Sequence, residues 1–204
     1  LVQFANVRKN GMIAITLNEG DQLIEAKVLS EKEDIFLVTR KGMAIQFNEE
    51  DIRATGRSSM GVRGIRLNQG DEVIGMQKSS QGELFLLVSE KGYGKLTDKS
   101  SFKAQARGGK GIRCYKITDK TGDLVGFKLC DKDREILLIT TEGIMIRFNL
   151  DKVSILGRNT SGVKLMDIDK DSDTVIASVA KVREESAEEE EEAEKQDEET
   201  SEEK

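Results

Sequence analysis

A glycine returns at nearly constant spacing along this chain. Gly11, Gly61, Gly111 and Gly162 are separated by 50, 50 and 51 residues, and Gly42, Gly92 and Gly143 by 50 and 51. Fixed periods of this length mark repeat architectures, in which each unit is one supersecondary motif that buries its apolar face only against its neighbours. The residues around the glycines repeat with them. DIFLVTRKGMAIQFN (34–48), LFLLVSEKGYGKLTD (84–98) and EILLITTEGIMIRFN (135–149) share one plan: an apolar run, a short polar turn ending in glycine, and a second run. TGRSSMGVRGIRL, AQARGGKGIRCYKI and LGRNTSGVKLMDI correspond further along each unit, and an acidic turn and a last apolar stretch close it.

The local chemistry within a unit favours strands. Ile35 to Val38, Phe85 to Val88 and Ile136 to Ile139 are short continuous runs of branched and aromatic residues, the pattern of strands buried on both faces. Gly42, Gly92 and Gly143 follow where a tight hairpin needs positive φ. Met43, Ile45 and Phe47 alternate with Ala44 and Gln46, which predicts a half-exposed strand, and Ile144, Ile146 and Phe148 repeat that alternation. The only helical features expected are short turns near Glu49 to Arg53 and Lys99 to Lys103. With no proline in the chain, turns fall to Gly, Asn and Asp, as in NEGD and NQGD. About four strands per unit of about fifty residues predicts an all-β, propeller-like array. There are three full units and part of a fourth, because no leading hairpin precedes the first glycine. The expected shape is an arc, and the opening at Leu1, inside the pattern, suggests a fragment of a longer chain.

Composition divides the chain in two. From Glu184 to Lys204 thirteen acidic residues face two lysines, a net charge of −11, whereas residues 1–183 carry 30 basic and 25 acidic residues, a net +5. The boundary thus predicts a mildly basic folded body, 1–183, and a disordered acidic tail, 184–204, too poor in apolar residues to build a core. No apolar run approaches the roughly 18 residues of a membrane helix, and no secretory signal opens the chain. The absence of histidine removes the commonest general base and a principal metal ligand. Cys114 and Cys130 are not in a C-x-x-C pair, and read as neutral thiols in a reducing compartment.

The register also carries charge. Four residues before the repeat glycine stand Arg57, Arg107 and Arg158; two after it stand Arg63, Arg113 and Lys164. In the partial unit the two positions hold Val7 and Ile13. One reading is of solvated side chains on exposed strands. The other is a basic stripe, one step per blade, facing a regular polyanion. Duplex DNA presents its phosphates in continuous rows that Arg and Lys engage without reading bases. In the QARGGKGI stretch, Gly108 and Gly109 would let backbone N–H groups approach phosphate, with Lys110 beside them, and Lys103 lies just upstream. No groove-inserting helix is in evidence for base readout, and aromatics make up only 4% of the chain, too few for a stacking track on single strands.

Enzyme motifs fail one by one. Gly109-Lys110 is followed by Gly111 and a strand-like IRCYKI, so neither the P-loop spacing nor its helix is present. Gly92-Tyr93-Gly94 runs on into a strand, which removes the dinucleotide fingerprint. The DIDKDSD stretch (167–173) lacks the Gly and Glu of a calcium loop and reads as a turn. Tyr93 and Tyr115 read as packing residues. No side-chain constellation for acid–base or nucleophilic catalysis is legible.

GRSSMGVRGIRLNQGDEVIGM, EKGYGKLTDKSSFKAQARGGKGI and GRNTSGVKLMDI together resemble the C-terminal repeats of bacterial DNA gyrase A, over about residues 1–183. The resemblance implies a six-bladed β-pinwheel whose basic rim wraps duplex DNA, so that strand passage by the holoenzyme, a type II topoisomerase, introduces negative supercoils. It implies as partners double-stranded DNA, the rest of gyrase A and the gyrase B protein in an A2B2 complex, a cytoplasmic setting on the bacterial chromosome, and no membrane. Catalysis would lie outside this chain: no cofactor is expected here, and ATP and Mg2+ are implied for the holoenzyme. Gln105, Arg107, Gly108, Gly109, Lys110 and Gly111 match the family's Q-R-R-G-G-K-G wrapping motif, with Ala106 in place of its first arginine, which resembles the relaxed copy of the fifth blade. The alternatives are the C-terminal domain of topoisomerase IV and a propeller-like scaffold for protein partners. The expected DNA contacts are Arg57, Arg63, Lys103, Arg107, Gly108, Gly109, Lys110, Arg113, Arg158 and Lys164, with no catalytic or metal-binding residue.

Overall fold

The computed structural model describes residues 7, 9–29, 32–168 and 173–182; the acidic tail lies outside them. The described chain is built of antiparallel strands: β1 (Asp34–Thr39), β2 (Met43–Asn48), β3 (Val73–Lys78), β4 (Leu84–Ser89), β5 (Tyr93–Asp98), β6 (Ile112–Arg113), β7 (Leu124–Cys130), β8 (Glu135–Thr140), β9 (Met145–Asn149), β10 (Val163–Lys164) and β11 (Ile176–Lys181). Helical geometry is limited to single 3-10 turns, two of which, Glu49–Asp51 and Lys99–Ser101, stand where the sequence places short turns. Asn48 and Asp98 cap these turns by accepting from the N–H groups of Glu50 and Ser100.

Each unit begins with a hairpin whose turn glycine is left-handed: φ is 81° at Gly42, 77° at Gly92 and 82° at Gly143. The third strand of the sheet, β3, β7 or β11, pairs with the first strand of that hairpin. The fourth comes from elsewhere. β6 pairs with β2, setting Arg113 opposite Met43 and Ile112 opposite Ala44, and β10 pairs with β5, setting Lys164 opposite Tyr93 and Val163 opposite Gly94. The segments around Gly111 and Gly162 therefore cross out of their own units to complete the blade before them. The sheets are β3-β1-β2-β6, β7-β4-β5-β10 and β11-β8-β9. Three units thus give two four-stranded blades and a third with three strands among the described residues. The partial first unit has no strand among its described residues, and it touches the rest at several points, among them Thr16, whose N–H donates to Ser59 O at 3.1 Å, and Glu25, which accepts from Met76 N–H at 3.1 Å.

This sharing explains where the half-exposed strand departs from expectation. Ala44 and Ile45 are both buried, because β6 and its loop cover the second face of β2. β9 lacks such a cover among the described residues, and there Ile144 and Met145 are exposed. β4, central in the molecule, is buried along its whole length, as its unbroken apolar run predicts.

Successive blades pack through their third strands. Gly75 of β3 lies against Phe127 of β7, and Gly126 of β7 against Val179 of β11. Between the blades lie the cores. One gathers Phe36, Phe85, Phe102, Phe127 and Leu129; the next holds Leu86, Val88, Leu96, Ile136, Leu138 and Ile176. Phe85 stacks on Phe102 at 4.1 Å and meets Phe36 edge-on at 5.0 Å. Cys114 and Cys130 are free and buried, and burial pushes the two thiols up to about 12 and about 11.

Candidate nucleic-acid interface

The segments around the repeat glycines form loops on the blade edge, and each is bonded to the loop before it. Arg66 N–H donates to Gly109 O at 2.7 Å; one unit on, Lys116 N–H donates to Thr160 O at 3.0 Å. The first-position arginines reinforce the same joints. Arg107 donates from Nη1 to Arg63 O at 2.6 Å and from Nε to Asp51 O at 3.0 Å, and Arg158 donates from Nη1 to Arg113 O at 3.2 Å. Arg57 reaches back to the Met12 sulfur at 3.5 Å. The bonds recur in register, so the loops run side by side as one ridge. Arg57, Arg107 and Arg158 stand at equivalent points on it, and none has an ion-pair partner among the described residues.

The two basic positions therefore play different parts. The first is a clasp: each guanidinium crosses to the preceding loop and holds it. The second points outward. Arg63 and Arg113 give their carbonyls to the clasp and leave their side chains exposed. Lys164, the third member, is also exposed but is paired with Asp167 at 2.8 Å, which raises its pKa through that hydrogen bond and the nearby charge. Lys103 and Lys110 are exposed on the same segment as Arg107.

The glycines of this stretch pack closely on the neighbouring loop. Gly108 N–H donates to Gly64 O at 2.8 Å and Gly109 N–H to Ala106 O at 3.3 Å, so neither is left for a ligand. Gly108 is left-handed, φ 79°, with Arg63 O only 3.4 Å from where a Cβ would stand. Gly111 and Gly162 are also left-handed and press directly on the backbone of Ala44 and Gly94 in the neighbouring blade.

Two features lie outside the two basic positions. A third position, five after the repeat glycine, is also basic in two units, as Arg66 and Lys116, and acidic in the third, as Asp167; counting past the second position finds it. The other is Lys95, fully buried beneath the loop at 157–161; an inward-facing lysine in an apolar alternation is its only signal. No group of three or more His, Cys, Asp or Glu side chains capable of holding a metal occurs among the described residues. Of the DIDKDSD stretch, residues 169–172 lie outside them.

The family model described as the DNA gyrase C-terminal domain, beta-propeller, matches residues 1–30, 33–80, 83–131 and 134–179. The DNA gyrase A protein of Halalkalibacterium halodurans is 55% identical over 182 residues, and that of Clostridium acetobutylicum 46% over 185, covering 89% and 91% of this chain but 22% of each relative. The chain thus spans about a fifth of the length of the curated relatives it matches. A solved DNA gyrase A C-terminal domain superposes with a TM-score of 0.79 at 32% identity, over 86% of this chain and 59% of that one. The C-terminal domain of DNA topoisomerase IV reaches 0.84 at 22% identity, over 96% and 61%, a likeness of fold.

Proposed function

The chain belongs to the DNA gyrase C-terminal domain, beta-propeller, family, and on that premise we propose that its outer ridge binds and bends double-stranded DNA without base specificity, as part of a gyrase A protein. The observation that carries the reading is the repeated loop-to-loop joint. It sets Arg63 and Arg113 at equivalent places on adjoining loops, with side chains exposed, and puts Lys110 between them in sequence. Cations stepped along a curved edge match the rows of phosphates on a duplex, and a duplex held at several such steps must follow the edge. In the holoenzyme this bending presents a segment of defined handedness to a cleavage core supplied by the rest of gyrase A. Gyrase B supplies ATP hydrolysis with Mg2+, and the setting is the bacterial cytoplasm. DNA handling in this chain is electrostatic, and the chemistry belongs to its partners.

The test is titration of a fluorescent duplex across a salt series. Each phosphate neutralised contributes about −0.9 to the slope of log affinity against log salt. Replacing Arg63, Lys110 and Arg113 together by alanine leaves the clasps intact and is expected to flatten the slope by about 2 to 3. A slope identical to that of the unmodified chain would remove these three from the contact. A linking-number shift in nicked plasmid, ligated with the protein bound, reads whether the bent duplex is wrapped with one hand.

A further inference from the structure

One of the two completed seams is built differently from the other. In the second strand of the hairpin, the equivalent positions are Ile45 and Phe47 in β2 and Ile146 and Phe148 in β9, uncovered among the described residues, but Lys95 and Thr97 in β5. Both polar residues are buried, Lys95 with 0% exposure. They are bonded to the loop that lies on them. Lys95 Nζ donates to Gly157 O at 2.7 Å, Arg158 O at 2.8 Å and Thr160 Oγ1 at 3.2 Å. Thr97 Oγ1 donates to Leu156 O at 2.9 Å. Tyr115, where the other units have Ile65 and Met166, donates its hydroxyl to Ser161 O, and its ring lies 5.4 Å from Lys95 Nζ. The sister loop needs no such support: Gly108 and Gly109 let it settle on β2, with Ile45 beneath Gly109. Here Asn159 and Thr160 replace the glycine pair.

We propose that Lys95 is a positioning residue for the DNA-binding ridge, a buried cation that gathers the inward carbonyls of the 157–161 loop and so fixes Arg158 and the joint to Arg113. This rests on the DNA-binding reading. An ammonium offers three donors to three acceptors; an apolar residue there would leave Arg158 O unpaired, while Gly157 O would keep only the Thr160 hydroxyl at 2.8 Å. The groups facing Lys95 are Cys114 and Tyr115 from the seam and Arg158 from the loop. Burial holds Lys95 down to about 8, with Arg158 adding to the lowering, whereas Cys114 and Tyr115 are both pushed up to about 12 by burial. As pH rises from 7 to 9.5, Lys95 is therefore the member of this group that loses charge, and with it one of the three donors that hold the loop.

The experiment compares the full chain with its Lys95→Met variant. Duplex affinity is measured at pH 7 and 9.5 and across salt, and hydrogen exchange is followed at the Lys116 amide, which donates to Thr160 O. The expected result is about five-fold weaker binding at pH 7, a salt slope reduced by about 0.9 as one phosphate contact is lost, and a fall in affinity at high pH present only in the unmodified chain. The Lys116 amide should exchange at least ten-fold faster in the variant. Equal affinity, equal pH profile and unchanged Lys116 exchange would overturn the proposal. Should the unmodified chain bind no DNA, the DNA reading fails, and Lys116 exchange alone decides whether Lys95 holds the loop. If Lys95→Met does not fold, the unmodified chain decides: Lys116 exchange, corrected for base catalysis, is expected to speed up further between pH 7 and 9.5, and no such extra acceleration overturns the proposal.

Discussion

Gly42, Gly92 and Gly143 occupy one turn in three copies, and this allows the seam between blades to be weighed. All three have φ near 80°, and each donates its N–H back across the turn, to Thr39 O, Ser89 O or Thr140 O, at 3.0 to 3.1 Å. Only the surroundings differ. A Cβ on Gly42 would stand 2.7 Å from Tyr115 O, and one on Gly92 2.5 Å from Met166 O, whereas one on Gly143 would meet nothing within 4 Å. Alanine at any of them costs about 1 to 2 kcal/mol for the left-handed backbone. At Gly42 and Gly92 it must also drive off the crossing strand. That loosens the bonds made to the glycine carbonyls: Cys114 N at 2.8 Å and Tyr115 N at 3.3 Å on Gly42, Leu165 N at 2.8 Å and Met166 N at 3.2 Å on Gly92. Two backbone bonds at about 1 kcal/mol each bring the expected loss to about 3 to 4 kcal/mol for Gly42→Ala and Gly92→Ala, against about 1 to 2 for Gly143→Ala. For a chain of this size each kcal/mol moves Tm by about 2 to 4 °C, so thermal and urea unfolding should separate Gly143→Ala from the other two by roughly 5 °C. Equal losses in all three variants would mean that the crossing strands add nothing to stability, and the account of shared blades would be wrong.

Two further outcomes follow from the cores. Cys130 and Cys114, pushed up to about 11 and about 12 by burial, hold less than about one part in a thousand of thiolate at pH 8, so a disulfide reagent should label the native protein far more slowly than the unfolded chain; rapid labelling of the native form would contradict their burial. Phe85→Ala removes a fully buried ring that meets Phe36, Phe102 and Phe127 and should cost about 3 to 5 kcal/mol by urea unfolding; a loss under 1 kcal/mol would show that this cluster does not bind the first two blades together.

Much of the fold was legible because its signals are local. A left-handed turn glycine and an apolar run both sides of it are properties of fifteen consecutive residues, and β1–β2, β4–β5 and β8–β9 lie where those runs fall. The exchange of β6 and β10 was not legible, since two-residue strands carry no periodicity and their partners lie about 69 residues away. The burial of Ala44 departs from the alternation for the same reason: the cover comes from a different unit. Lys95 shows the limit most sharply. Its neighbours in sequence say inward strand, its type says solvent, and only the carbonyls of a loop more than sixty residues on reconcile the two.

The basic register was visible, but its division of labour was not, and that division bears on how the ridge works. Arg107 and Arg158 each place Nη1 on a carbonyl of the preceding loop. The residues whose carbonyls they take, Arg63 and Arg113, have exposed side chains. One hydrogen bond therefore fixes both the spacing between loops and the place from which each outward cation projects. Removing a clasp arginine moves the outward cation as well as deleting a charge, whereas removing an outward cation leaves the joint in place. A polyanion bound along this ridge thus meets charges whose separation is set by the blade-to-blade step, and the path it follows is dictated by the packing of Gly75 on Phe127 and Gly126 on Val179 rather than by any group that touches it.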